Sequence, residues 1–109
     1  MLKLDPNSAD GHAGMAAALS DQHRSAEALE EYKRVAAMNP NYQGLNFNIG
    51  LEQARLGLAD DAITSLLKQR EVADDLDTEN LLTEVYTRKG MQREADDARR
   101  RAAEMIERK

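Results

Sequence analysis

The sequence has no cysteine and no tryptophan, and it contains only two prolines and one phenylalanine. Without cysteine there is no disulfide framework and no thiolate that could serve catalysis or bind zinc. The few prolines and six glycines leave little material for the turns of a sheet protein. Absence of cysteine is compatible with the cytoplasm, the compartment we favour, and leaves the periplasm open if the parent protein is exported.

Long apolar runs and excess positive charge are also absent. No run approaches the roughly 18 apolar residues that a membrane-spanning helix needs, so we expect no membrane span. The net charge is −5. Because nucleic-acid binding requires basic surface to neutralise phosphates, this charge argues against a nucleic-acid partner. The arginines at 99–101 fan across about 200° of a helix and therefore form no single basic patch.

The residues that are abundant favour helices. Alanine, leucine, glutamate and arginine dominate, and all four are good helix formers. Hydrophobic residues make up 41% and charged residues 32%, which is ordinary for a globular chain. With 109 residues the chain is long enough for one core but not for two. We therefore predict an all-α fold in a single domain over 1–109.

The sequence repeats itself about every 34 residues. Matching residues recur at intervals of 34 or 33, namely Pro6 with Pro40, Ala28 with Ala62, Ala62 with Ala95, and Gly57 with Gly90. Each period contains two apolar stripes at helical spacing. The pattern predicts six helices, near 9–21, 25–38, 43–56, 60–73, 77–89 and 92–107. Gly57 and Gly90 are predicted to adopt the left-handed conformation that ends a helix.

These features resemble the tetratricopeptide repeat, a 34-residue helix–turn–helix unit whose copies stack into a right-handed α-solenoid. The resemblance covers 2–108 and implies repeats at 9–42, 43–75 and 76–109, with 1–8 as the tail of a preceding repeat. The family's small residues, which let paired helices approach, correspond to Ala16, Gly50 and Thr83 in the first helices and to Ala28, Ala62 and Ala95 in the second. Its large residue before the small one corresponds to Met15, Ile49 and Leu82.

Several residues depart from the family pattern. The bulky residue early in the first helix is replaced by His12, Asn46 and Glu79. Gln53 and Gln69 occupy sites that the family usually fills with apolar side chains. Either their amides reach solvent, or they hydrogen-bond each other or a backbone carbonyl inside the middle repeat, since an unpaired buried amide is costly.

No arrangement of residues indicates catalysis or metal binding. His12 and His23 are eleven residues apart, about 16 Å along a helix, which is too far to hold one metal ion. The acidic pairs at 60–61 and 96–97 fall at predicted helix starts, where they favour the positive helix end over acid–base catalysis. The acidic stretch 75–86 lacks the glycine and the final glutamate of a calcium loop. We expect no enzyme activity, no cofactor and no metal.

The resemblance implies that the first helices line a concave groove that binds another protein. The family's groove-facing positions correspond to Asp10, Ala13, Ala17, Ser20, Asp21, Gly44, Phe47, Leu51, Ala54, Arg55, Asp77, Asn80, Glu84, Thr87 and Arg88. One family subset grips peptide C-termini with a lysine, asparagine and arginine clamp. The corresponding residues are Ala13, Ala17, Asn48, Asn80 and Glu84. Only Asn48 matches, so the clamp lacks the cations that would neutralise a carboxylate.

Phe47 and Leu51 share a helix face and form the apolar centre of the predicted groove. Phe47 either packs on the neighbouring repeat, as apolar helix residues usually do, or receives an apolar anchor of a bound peptide or helix. The predicted groove residues are Phe47, Asn48, Leu51, Arg55, Asn80, Glu84, Arg88, Ala13 and Ala17.

Two functions are compatible with this pattern. We expect a protein–protein interaction scaffold, a module of a larger protein, that binds a protein or peptide partner. The alternative is an architectural spacer or oligomerisation module without a peptide ligand. In that case two copies could associate through the N-terminal end, where helix 9–21 would lack its natural neighbour.

Overall fold

The structure, a computed structural model, describes residues 8–107, and within that range it contains six α-helices and no strand. The helices are α1 (Ala9–Asp21), α2 (Ser25–Met38), α3 (Leu45–Arg55), α4 (Ala59–Ala73), α5 (Leu76–Lys89) and α6 (Gln92–Glu107). The predicted all-α fold is confirmed. No helix in this part of the chain is long and apolar enough to cross a membrane.

The predicted tail at 1–8 lies outside the described residues except for Ser8. This serine caps α1, because its Oγ accepts a hydrogen bond of 2.9 Å from the backbone N–H of Gly11. A serine in this position satisfies one of the N–H groups that the first turn of a helix leaves unpaired. The start of α1 at Ala9 agrees with the prediction.

Helices that are consecutive in the chain pack together. The most extensive contacts join α1 to α2, α3 to α4, and α5 to α6. Smaller interfaces join α2 to α3 and α4 to α5, and α3 also touches α5. This succession of helix pairs is compatible with a helical repeat.

The turn before α3 differs from the prediction. We predicted a helix from 43 to 56, but α3 begins at Leu45 because Gly44 has a φ of 75°, in the left-handed region that interrupts a helix. Gly57 and Gly90, with φ of 79° and 77°, adopt the predicted left-handed conformation. The helix starts at 59 and 76 lie one residue before the predicted ones.

The core consists of two clusters of buried side chains. The first core cluster contains Ala16, Ala28, Tyr32, Val35 and Leu45. The second core cluster contains Ala54, Ala62, Leu66, Leu81, Leu82, Val85, Tyr86, Ala95 and Ala98. Helix α3 contributes to both, since Leu45 belongs to the first cluster and Ala54 to the second.

Five of the six predicted small residues are buried, whereas the sixth, Thr83, is only half-buried. Ala16, Ala28, Ala62 and Ala95 are fully buried. At Gly50 a Cβ atom would lie 2.9 Å from Leu66 Cγ and 3.4 Å from the Ala62 carbonyl oxygen. Carbon atoms do not approach to 2.9 Å without displacement, so α3 and α4 can pack this closely only because residue 50 is glycine.

Met15 is more exposed than the corresponding residue of α5. It is 40% exposed, whereas its counterpart Leu82 is fully buried. The difference follows from position, because α1 has α2 as its only extensive helix neighbour within 8–107, while α5 lies against α4 as well as α6.

The two glutamines, Gln53 and Gln69, are both paired within residues 43–75. Gln69 is only 5% exposed, and its Nε2 donates a 3.2 Å hydrogen bond to the carbonyl oxygen of Ala73. Gln53 is half-buried, and its Oε1 accepts a 2.6 Å hydrogen bond from Ser65 Oγ. Pairing with a backbone carbonyl is thus confirmed for Gln69. The amides do not bond each other.

The acidic pair at 96–97 does not sit at a helix start. Because α6 begins at Gln92, both aspartates lie in its second turn. Asp96 bonds Arg99 at 2.8 Å, and Asp97 bonds Arg101 at 3.1 Å and also Arg100. These pairs have the spacing of neighbouring side chains on one helix. Each of the arginines at 99–101 therefore has an acidic partner on its own helix.

Candidate functional site

A shallow depression of about 310 Å³ lies between α3 and α5. Its α3 side is formed by Phe47 and Leu51, and its α5 side by Asp77, Asn80, Leu81 and Glu84. Residues three or four apart share a face of a helix, so each set points in one direction. Four of the predicted groove residues, Phe47, Leu51, Asn80 and Glu84, are thereby brought together. Asp77 also lies at a predicted groove-facing position.

The floor of the depression is apolar and partly accessible. Phe47 and Leu51 pack against the second core cluster, yet both remain half-buried rather than buried. Leu81 is 9% exposed and also lines the depression. Phe47 therefore packs against the second core cluster and in addition presents surface to solvent.

The α5 side of the depression is polar and negative. Asp77, Asn80 and Glu84 are all exposed. Glu84 Oε1 lies 3.4 Å from Nη2 of Arg88, one turn further along α5. Both side chains of that pair are more than half exposed, at 53% and 64%, so the pair contributes little. Asp77 takes part in no ion pair within 8–107.

The other predicted groove residues do not line the depression. Ala13 and Asn48 are half-buried and Ala17 is exposed, on α1 and α3. Ala13 packs against the first core cluster. Ala54 was expected to face the groove, and this expectation is wrong, because Ala54 is 9% exposed and belongs to the second core cluster.

Arg55 joins α3 to α1. Its Nη1 donates a 2.5 Å hydrogen bond to Ser20 Oγ and lies 3.5 Å from Glu52 Oε2. The Ser20 hydroxyl in turn donates to Glu52 Oε2 at 2.8 Å. Glu52 is 1% exposed, and its Oε1 has no hydrogen-bond partner among residues 8–107. Arg55 therefore compensates a buried carboxylate, which reduces the charge it can offer to a ligand.

A second buried carboxylate, Glu79, lies at the junction of α4 and α5. It is fully buried, and Arg70 holds it with two hydrogen bonds, Nε to Oε2 at 2.9 Å and Nη2 to Oε1 at 2.8 Å. Burial acts to raise the pKa of Glu79. The hydrogen bonds from Arg70 and Asp74, together with the charges of Arg70 and Arg101, outweigh it, and the pKa lies below its ordinary value.

Asp74 belongs to the same group of charged side chains, but its pKa shifts in the opposite direction. As a whole residue Asp74 is exposed, but partial burial of its carboxyl, followed by the hydrogen bond to Glu79 and the charge of Glu79, raises its pKa to about 6. The charges of Arg70 and Arg101 oppose that rise. Glu79 thus stays ionised while Asp74 retains a proton more readily than an ordinary aspartate.

Within residues 8–107, no group of three histidines, aspartates or glutamates is placed to hold a metal ion. No protein-family model matches this chain, and no curated protein matches it either. The depression between α3 and α5 offers an apolar floor beside two carboxylates and an amide.

Proposed function

We propose that this chain is a right-handed α-solenoid of three tetratricopeptide-like repeats that binds a peptide or helix of another protein, without catalysis, as a module of a larger protein. The observation that carries the proposal is the partial exposure of Phe47 and Leu51 on the floor of the depression. Accessible apolar side chains in a concave surface, rimmed by polar groups, are typical of binding sites. The 34-residue period and the succession of packed helix pairs support the repeat assignment.

The size of the depression favours a side-chain anchor. About 310 Å³ is at the lower end of the range for pockets that enclose a small molecule, and this depression is open to solvent. A bound peptide needs only to insert one or two apolar side chains here while its backbone follows the α5 side. Asn80, which lies between the two carboxylates, carries both a donor and an acceptor for such a backbone.

The proposal is tested by selecting a phage-displayed library of random peptides against the wild-type protein and measuring the enriched peptides on variants. Phe47→Ala should weaken their binding roughly 30-fold, the loss expected when an interface anchor is truncated. Val72→Ala is the control, because Val72 is 75% exposed on α4, outside the depression. It should leave the affinity unchanged.

Thermal melting separates a binding role of Phe47 from a packing role. If Phe47→Ala lowers the melting temperature but binds the enriched peptides as wild type does, the proposal is wrong. A second readout is available because the chain contains no tryptophan. Phe47→Trp places the only tryptophan of the chain on the floor of the depression, and its emission, excited apart from the tyrosines, should shift when a peptide covers it.

The architectural alternative is favoured by one observation, the exposure of Met15 on α1. Met15 is 40% exposed, and α1 packs extensively against α2 alone among the described helices. An oligomerisation module would form dimers at micromolar concentration by light scattering, and Met15→Asp would abolish them. A protein that stays monomeric throughout would exclude the oligomerisation function.

A further inference from the structure

We infer that the occupant of the depression between α3 and α5 is a cationic peptide segment, in which an apolar anchor is flanked by lysine or arginine. This inference rests on the proposed function and specifies the chemistry of its partner. It follows from the residues that line the depression, which include two carboxylates, one amide and no cation.

The two carboxylates are available to a ligand. Asp77 lies in the first turn of α5, where the helix N-terminus stabilises its negative charge without neutralising it. Glu84 is shared with Arg88 at 3.4 Å, but an exposed pair of this kind is weak and screened. A peptide cation can therefore displace Arg88 at little cost. The nearby cation of α3, Arg55, is already engaged by Ser20 and Glu52.

The spacing of the carboxylates defines the spacing of the expected cations. Asp77 and Glu84 are two helical turns apart on α5, about 10 Å. A peptide in the polyproline II conformation has three residues per turn and rises about 3.1 Å per residue, so its side chains at i and i+3 lie on one face about 9 Å apart, close to the separation of the carboxylates. A residue between them can direct an apolar side chain toward Phe47 and Leu51, and Asn80 lies one turn from each carboxylate to bond the peptide backbone. The expected segment thus has two cations three positions apart with an apolar residue between them.

The test uses the same random-peptide selection, scored for composition. Peptides enriched by the wild-type protein should show an excess of lysine and arginine around one apolar residue. Their affinity should fall as the salt concentration rises from about 0.05 to 0.5 M, because the contacts are between exposed charges.

Matched double variants test whether the carboxylates of the depression are those that bind the cationic peptides. Asp77→Asn with Glu84→Gln removes both carboxylates of the depression and should weaken binding about tenfold. Asp61→Asn with Glu71→Gln removes the same charge from exposed positions on α4, and Asp61, like Asp77, lies in the first turn of its helix. This control should leave affinity unchanged. Asp77→Lys with Glu84→Lys, selected afresh, should enrich acidic peptides instead.

The outcomes distinguish this inference from the function on which it rests. If binding of the enriched peptides depends on Phe47 but the peptides are neutral or acidic, the inference is overturned and the proposed function stands. The same holds if binding depends on Phe47 and both neutralising double variants bind the peptides as wild type does. If no peptide is enriched, or if enrichment does not depend on Phe47, both are overturned.

Discussion

The ion pair between Arg70 and Glu79 offers a quantitative test of how the α4–α5 junction is held together. Glu79 is fully buried and Arg70 is 20% exposed at its side chain, and two hydrogen bonds join them. The perturbation is Arg70→Met, which keeps the aliphatic bulk and removes the guanidinium. The carboxylate of Glu79 then loses its bidentate partner in an environment that excludes water.

Removing one partner of a buried ion pair typically costs 3–5 kcal/mol. Arg70 is partly exposed, so water can reach the guanidinium side of the pair. We therefore expect a loss of about 3 kcal/mol, the lower end of this range. A domain of this size has a total stability of about 5–15 kcal/mol, so the loss is a large share of it. Arg70→Met combined with Glu79→Leu replaces both charges by apolar groups and should lie within about 1 kcal/mol of wild type, or be more stable.

The assay is urea denaturation of the three proteins followed by far-ultraviolet circular dichroism, repeated between pH 7 and 5. In the wild type the pKa of Glu79 is lowered, so its stabilising contribution is present above the ordinary pKa of 4.5 and is lost only as pH falls through the lower folded value. In Arg70→Met the chief remaining cause is burial, which raises that pKa. The difference in the free energy of unfolding between Arg70→Met and wild type should therefore shrink as pH falls from 7 to 5.

Two results would refute this reasoning. A double variant as unstable as Arg70→Met would show that the pair contributes more than compensation of a buried charge. A single variant within about 0.5 kcal/mol of wild type would show that water reaches Glu79 freely, as at an exposed pair.

Two further predictions concern packing and pH. Gly50→Ala should lower the free energy of unfolding by about 1–3 kcal/mol, despite the better helix propensity of alanine, because its Cβ would lie 2.9 Å from Leu66 Cγ. Urea denaturation measures this, and combining the change with Leu66→Ala should cost less than the sum of the two single changes, since the shorter side chain leaves room. Asp74→Asn should stabilise the protein at pH 7–8, by at most about 1 kcal/mol given the exposure of Asp74, and have no effect near pH 4. The sign follows because a folded pKa of about 6, raised above 3.8, makes stability highest below 3.8 and lower as pH rises through 6. Asp61→Asn is the control, and stabilisation by Asp74→Asn that is equal at pH 4 and pH 8 would contradict the assignment.

The helices could be predicted from the sequence because they depend on local patterns. Apolar stripes at helical spacing and the glycines at 57 and 90 are properties of neighbouring residues, and the structure confirms them. Gly44 was overlooked as a helix boundary, although a glycine shortly before an apolar stripe was a usable signal. The small residues at the helix contacts were also predictable, because a repeat puts them at equivalent positions.

The buried charges could not be predicted in the same way. Glu52 resembles the solvent-facing glutamates of any amphipathic helix. Glu79 departs from the family pattern at a bulky site, but that departure alone does not reveal its partner. The hydrogen-bond partners of the two carboxylates, Ser20 and Arg70, are on other helices. Ser20 is 32 residues from Glu52, so no local pattern reveals the contact. Of the candidate site, the structure brings together Phe47, Leu51, Asn80 and Glu84. Leu81, which belongs to the second core cluster, also lines the depression. Binding itself stays a prediction.

Helix α3 belongs to both core clusters. The binding of a ligand in the depression is therefore linked to the packing of both clusters. Ile49 packs against the first cluster, whereas Phe47 and Leu51 pack against the second. A ligand seated on Phe47 and Leu51 binds only while α3 and α5 stay together. At a free concentration of 100 times its dissociation constant, such a ligand adds about 2.7 kcal/mol against every partly opened state that separates these helices. A partner would thus stabilise the packing of α3 against α5, and a variant that loosens either cluster would weaken binding from a distance.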